Sequence, residues 1–189
     1  IDTKDKIIEY FRSGYKESKN LKIGIEHEKF LFDDKSNKRL DYLKIKEMFS
    51  ALIEFGWNPI FEQDNIIGLN KGRKNITLEP GNQIELSGDK LNNIHEGCAE
   101  SQDYLFELRQ VTKKLGINIV SAGFDPISKL NEIPNNPKQR YKLMTKDMPL
   151  GGNLSLDMMY RTCGTQINLD YSTEKDFIKK FKIVNSIVP

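Results

Sequence analysis

Cysteine is scarce, with two residues in 189. That excludes a disulfide-stapled scaffold and fits a reducing compartment, for which the cytoplasm is the expectation. Long apolar runs are missing too. No stretch approaches the roughly 18 residues of a membrane span. No charged segment followed by an apolar one opens the chain in the manner of a secretory leader. Neither charge sign dominates: 29 basic against 27 acidic residues leave +2, and the basic ones are scattered. Nucleic-acid binding therefore has no electrostatic footprint. What is present is 38% hydrophobic and 30% charged residues, an ordinary globular composition, in a length that suffices for one domain with its own core or two small ones. Ile1 in place of Met, and Ile187-Val188-Pro189 close behind a helical pattern, are what a piece of a longer chain would show.

The periodicities predict helices over 3–15, 41–55, 90–115 and 173–186. Ile45, Met48, Phe49 and Leu52 make one apolar stripe, and Leu91, Ile94, Cys98, Leu105, Leu108 and Val111 make another. Strands are predicted over 22–32, 57–61, 66–70, 75–79, 83–87, 117–124 and 165–170. Residues 125–155 hold four of the seven prolines and read as one long connection, with Lys138-Gln139-Arg140-Tyr141 inside it. The order is mixed rather than a repeated β-α-β. The fold class is α+β, with a curved, mainly antiparallel sheet and helices outside it.

Side chains two apart on a strand share a face, roughly 6.6 Å from each other. In Ile23-Gly24-Ile25-Glu26-His27-Glu28, Glu26 and Glu28 therefore point the same way. In Gln83-Ile84-Glu85-Leu86-Ser87, Gln83, Glu85 and Ser87 share one face, with Ile84 and Leu86 on the other. Glu79 has the same parity across Pro80-Gly81. In Thr165-Gln166-Ile167-Asn168-Leu169-Asp170, Gln166, Asn168 and Asp170 oppose Ile167 and Leu169. Were these strands in one sheet, one face would be core and the other a floor of carboxylates and amides. Clustered carboxylates raise one another's pKa unless a cation sits among them. Oxygen-only donors suit Mg²⁺ or Mn²⁺ rather than zinc, and Mg²⁺ completes its shell with water and phosphate. The floor thus reads as a Mg-nucleotide site. A solvated sheet face alternates in the same manner. The absence of Lys and Arg from the polar sides of all three strands weighs for the site. His27 has the opposite parity to the two glutamates and is read as core-facing. Cys98 and Cys163 are read as buried thiols.

The same residues carry a family resemblance. Gly24-Ile25-Glu26-His27-Glu28-Lys29-Phe30 is similar to the G-x-E-H-E-K-F signature of plant-type glutamate–cysteine ligases, also found in bacteria. Leu78-Glu79-Pro80-Gly81-Asn82-Gln83-Ile84-Glu85-Leu86-Ser87-Gly88 resembles the family's L-E-P-G-G-Q-x-E-L-S-G. Residues 94–100 resemble its H-Q-T-C-A-E segment, and 156–170 its L-D-M-M-x-R-T-C-x-x-Q-V-N-L-D. Ordered matches run from about residue 21 to 181.

The resemblance implies a glutamine synthetase-like catalytic domain spanning residues 1–189. It implies ATP-dependent joining of the glutamate γ-carboxyl to the cysteine amine, the first step of glutathione synthesis. ATP is then co-substrate, and glutamate and cysteine are the partners. It makes Glu26, Glu28 and Glu85 the first metal ligands, with Glu79 and Gln166 next. It gives Arg140 and Arg161 catalytic and substrate-binding roles, beside Thr162, Thr165, Gln83 and Asn168. A surface role for Arg140 and a structural ion pair for Arg161 stay open. So do a related ligase with another amine acceptor and a non-catalytic domain binding Mg-nucleotide or glutamate. Asn82 departs from the family's usual glycine, and Gly164-Thr165 from its usual pair. Family enzymes are longer, so part of the ATP site and the cysteine pocket is expected outside this chain.

Overall fold

The computed structural model describes residues 2–188. In chain order the elements are α1 (Lys4–Ser13), β1 (Ile23–Asp33), α2 (Tyr42–Ile53), β2 (Asn58–Glu62), β3 (Asn65–Lys71), β4 (Lys74–Leu78) and β5 (Ile84–Ser87). Then follow α3 (Ile94–Leu115), β6 (Ile117–Val120), α4 (Gln139–Asp147), α5 (Ser155–Arg161), β7 (Thr165–Leu169) and α6 (Glu174–Ile187). This is the α+β class expected from the mixed order. All strand pairings are antiparallel, in the open order β2-β3-β4-β5-β1-β6, and β7 also pairs with β1. The long β1 is shared along its length. Its first half lies against β5 and β7, and its second half against β6.

Local chemistry explains the element ends. The Asp41 carboxylate accepts from Lys44 N at 2.9 Å and starts α2. The Asn93 side chain accepts from His95 N and Glu96 N and starts α3. Gly116, at φ +64°, stops α3 in the left-handed conformation that a β-carbon disfavours. The apolar stripes of α2 and α3 then cover one sheet face. Ile45, Met48, Phe49 and Leu52 meet Leu108 and Val111 over Leu31, Leu69, Ile76, Leu78, Ile84 and Leu86. Most of these side chains are fully excluded from solvent, so burying each contributes about 1.5–3 kcal/mol. That layer extends to Ile25 on β1, against which Gly97 of α3 lies. Beyond it, all of β7 is exposed, so Ile167 and Leu169 are not the core residues their parity suggests.

The 125–155 segment is the main departure from the sequence reading. It contains α4, flanked by short 3₁₀ turns, and ends at the first residue of α5. Its prolines sit where helices tolerate them. Pro137 precedes α4, and Pro149 lies in a 3₁₀ turn outside α4 and α5. High proline content thus coexists with the helix α4, and α5 follows directly. They place Tyr141, Met159 and Tyr160 with Ile133 in a second, smaller apolar cluster on the far side of the sheet from α2 and α3. The β6 strand ends at Val120, short of the expected residue 124.

Candidate active site

The register of β1 decides whether the acidic floor exists. Glu28 lies directly opposite Glu85 on β5, and Glu26 lies opposite Ser87 on β5 and Gln166 on β7. Thr77 on β4 lies opposite Glu85. Directly opposed antiparallel residues share a face, with Cβ atoms roughly 5 Å apart. Glu26, Glu28, Glu85, Gln166, Ser87 and Thr77 therefore occupy contiguous positions on the face away from α2 and α3. Asn168, opposite Gly24, extends the patch and donates to Glu26 Oε1 at 3.0 Å.

Glu79 reaches the same patch from a hairpin. Leu78 still pairs with Ile84, and Glu79 N donates to Gln83 O at 2.8 Å, so Pro80-Gly81 does not break the ladder. The three-residue loop Pro80-Gly81-Asn82 closes with Asn82 at φ +60°. Asparagine tolerates this conformation better than most side chains, which explains how it replaces the expected glycine. Its Nδ2 also donates to Leu40 O at 2.9 Å inside the core.

The floor is electrostatically uncompensated. Burial, then the charges of Glu85 and Glu26, hold the Glu28 carboxyl above its ordinary value, against a hydrogen bond from Gly164 N. Burial and then Glu85 do the same to Glu79, opposed by Tyr141, Lys138 and Arg140. Ser87 Oγ and Thr77 Oγ1 donate to Glu85 Oε1 at 2.9 and 3.4 Å. Among the described residues, Glu26, Glu28 and Glu85 form no salt bridge.

A cavity of about 310 Å³ opens at one end of this floor. Glu28, Glu79 and Gln83 form its polar wall. Tyr141, Met144, Met158 and Met159 form its apolar wall, and Arg140 and Thr162 also line it. Arg140 stands at the exposed edge, its guanidinium stacked 4.6 Å from the Tyr141 ring centroid and 3.8 Å from Glu79. The Tyr141 hydroxyl lies 3.1 Å from Glu79 Oε1 and 3.0 Å from Leu78 O. Tyr141 and Met144 were not singled out from the sequence as site residues. Their three-residue spacing behind Pro137 was the available signal, hidden by reading the segment as loop.

Other candidates sit differently. Gln83 is buried with its amide engaged by the chain itself: Nε2 donates to Met159 O and Thr162 O, and Oε1 accepts from Gly81 N. Arg161 is held by Asp157 at 2.9 Å, stacks on Phe124, and does not line the cavity. Thr162 Oγ1 donates to Met158 O. Thr165 sits apart from the floor. It pairs with His27, so it shares the helix-side face with His27 and cannot join Glu26 and Gln166. Asp170 leaves the floor as well, because Lys16 pairs with it at 2.5 Å. Cys98 is exposed rather than buried, whereas Cys163 is buried and its thiol is pushed up to about 12, mainly by desolvation.

The residues fit a divalent cation by donor chemistry, since they offer only oxygen and two of their carboxylates are destabilised as anions. Among the described residues no three acidic, histidine or cysteine side chains converge on one point. Mg²⁺ does not require such a cage, because one or two carboxylates with water and phosphate complete its shell.

Comparison with known proteins identifies the family. The model of glutamate-cysteine ligase family 2 matches residues 22–189. A chloroplastic glutamate–cysteine ligase of Medicago truncatula is 44% identical over 99% of this chain and 37% of its own length. Chloroplastic glutamate–cysteine ligase A of Oryza sativa subsp. japonica is 43% identical over 99% of the chain and 38% of its length. The Nicotiana tabacum chloroplastic enzyme is 43% identical over 99% and 36%. The chain thus spans a little over a third of the length of these relatives. Their chloroplastic names overturn the cytoplasmic expectation. Few cysteines indicate reduced thiols, which does not single out one compartment. The match of the family model over residues 22–189 shows that this chain belongs to glutamate-cysteine ligase family 2.

Proposed function

We propose that the acidic face is the Mg-nucleotide and glutamate site of a ligase joining the glutamate γ-carboxyl to the cysteine amine. The observation that carries this reading is Glu28 facing Glu85 across the β1–β5 ladder, flanked by Glu26 and Glu79 without a neutralising base at their centre. A carboxylate is a poor electrophile. In the proposed reaction a glutamate γ-carboxylate oxygen attacks the γ-phosphorus of ATP and ADP leaves. The cysteine nitrogen then attacks the acyl carbon of γ-glutamyl phosphate, inorganic phosphate departs, and the nitrogen loses a proton.

The chain's residues act by positioning and electrostatics. Glu26, Glu28 and Glu85 would hold Mg²⁺ or Mn²⁺, with Glu79 and Gln166 as further donors. When bound, the cation neutralises phosphate charge. Arg140, exposed at the cavity edge, offers a planar fork to a substrate carboxylate or the transferring phosphoryl group. Tyr141 holds Arg140 and Glu79 in fixed relation. Thr162 and Asn168 add polar contacts on either side.

Hydroxylamine tests the activation step, because it traps an acyl phosphate as the hydroxamate. The full polypeptide carrying this sequence, given glutamate and Mg-ATP, is expected to form γ-glutamyl hydroxamate. Glu28→Gln is expected to remove most of it while the protein stays folded, melting no lower than the parent in chelator. Hydroxamate formed equally well by Glu28→Gln contradicts the site. Nucleotide binding without hydroxamate favours a non-catalytic domain.

A further inference from the structure

Arg39 follows the turn after β1, where a charged residue ordinarily faces water. Here its side chain is 1% exposed. Its backbone bridges Phe32, and its guanidinium runs over Phe30, 4.6 Å from the ring centroid. Nη1 donates to Asp125 Oδ2 at 2.9 Å and to Tyr160 O at 3.3 Å, and Nη2 donates to Gly81 O at 2.5 Å. Asp125 is equally buried. Its Oδ1 accepts from Ile127 N and Ser128 N, both at 2.9 Å.

One guanidinium therefore ties three separate segments together, and two of them form cavity walls. Gly81 belongs to the hairpin loop between Glu79 and Gln83. Tyr160 lies between Met159 and Thr162. Glu79, Gln83, Met159 and Thr162 all line the cavity, whereas Arg39 does not. Phe30, under the guanidinium, shares a β1 face with Glu28. As a stabilising device the arrangement is poor. A buried ion pair seldom outperforms apolar side chains of similar volume, and Arg39 Nε is left without a partner. Its distinctive consequence is geometric. The fork permits one spacing between the Glu79 hairpin and the C-terminal end of α5. Neither Lys nor Met reproduces it, since neither offers donors in a plane to three acceptors.

We propose that Arg39 is a positioning residue that sets divalent-cation affinity by fixing the Glu79 hairpin against α5 and β1. The proposal rests on the metal-site reading above. Mn²⁺ alone is the probe, its free-ion electron paramagnetic resonance signal reporting binding, with melting curves recorded in chelator. The variants are Arg39→Lys, which keeps the charge, and Arg39→Met with Asp125→Asn, which leaves neither charge unpaired and keeps an acceptor for Ile127 N and Ser128 N. Both are expected to fold, the double variant melting within about 5 °C of the parent, as buried-pair replacements commonly do. Both are expected to bind Mn²⁺ about tenfold more weakly, the effect usual for partners that orient metal ligands. A folded variant of either kind with parental Mn²⁺ affinity overturns the proposal. So does failure of both to fold, which makes Arg39 a stability residue. Glu28→Gln and Glu79→Gln separate the two claims. If Glu28→Gln binds Mn²⁺ as the parent does, the metal reading itself fails; if only Glu79→Gln does, Glu79 is no ligand and the positioning role fails. If both bind weakly while the Arg39 variants do not, only the positioning role fails.

Discussion

Replacing Glu85 with Gln removes one charge from the middle of the acidic floor and keeps the side-chain shape. The Gln carbonyl oxygen can still accept from Ser87 and Thr77, as Glu85 Oε1 does. The substitution therefore isolates repulsion. Glu28 sits directly across the ladder, roughly 5 Å away at Cβ. Two charges at that separation repel by about 1 kcal/mol in water-like surroundings and about 3 kcal/mol at an effective dielectric of 20. In chelator at pH 7, Glu85→Gln should be more stable than the parent by about 2 kcal/mol. That raises the melting temperature of a chain this size by about 4–8 °C. The pH dependence carries a sign. Glu28 and Glu79 have folded-state values raised above the ordinary 4.5, by burial first and Glu85 next. Folding then takes up protons, so their contribution is favourable near pH 4.5 and is lost as pH rises through the folded values. Removing Glu85 should flatten that decline. His27, lowered mainly by desolvation, runs in the opposite direction but is common to both proteins and cancels in their difference. Excess Mg²⁺ should invert the order. Binding at a hundred times the dissociation constant adds about 2.7 kcal/mol to the parent, and much less to a variant with a weakened site. Calorimetric or circular dichroism melts from pH 5 to 8, with chelator and with Mg²⁺, read all of this. A variant less stable than the parent in chelator, or equally stabilised by Mg²⁺, refutes the reasoning.

Gly97→Ala should change stability by less than about 1 kcal/mol in denaturant melts, because the Ile25 Cδ1 its Cβ would meet at 2.6 Å is the end of a side chain and Ala favours the helix by about 1 kcal/mol; a loss above about 2 kcal/mol would show that Ile25 has nowhere to move. A thiol reagent applied to the native protein at pH 8 should modify Cys98 rapidly and Cys163 only on unfolding, since Cys163 is buried and its thiol is raised to about 12. Two fast thiols would contradict that burial. Phe49→Ala, in the fully buried stripe of α2, should lose about 3–5 kcal/mol without altering the acidic face, measured by chemical denaturation and Mn²⁺ binding together.

The acidic floor was legible because strand parity is local. Glu26 with Glu28, and Gln166 with Asn168, share faces by alternation alone. Register is not local. That Glu28 faces Glu85, and Glu26 faces Gln166, depends on pairings between segments dozens of residues apart. Thr165 was legible in the same way as the floor, its parity setting it with His27 on the opposite face. The helix α4 was hidden because proline density marks breaks without showing what lies between them. With α4 went Tyr141 and Met144, half of the cavity's apolar wall. Arg39 gave no sequence signal at all. Its role arises only when the Glu79 hairpin, Asp125 and Tyr160 meet around it.

The most direct test of the central claim is ADP release by the full polypeptide carrying this sequence, given Mg-ATP and glutamate, with and without cysteine. Release that depends on cysteine, and is lost in Glu28→Gln, is the predicted result. No release with cysteine or any other amine, from a protein that still binds Mg-ATP, would contradict the ligase reading and leave a ligand-binding domain on the same sheet.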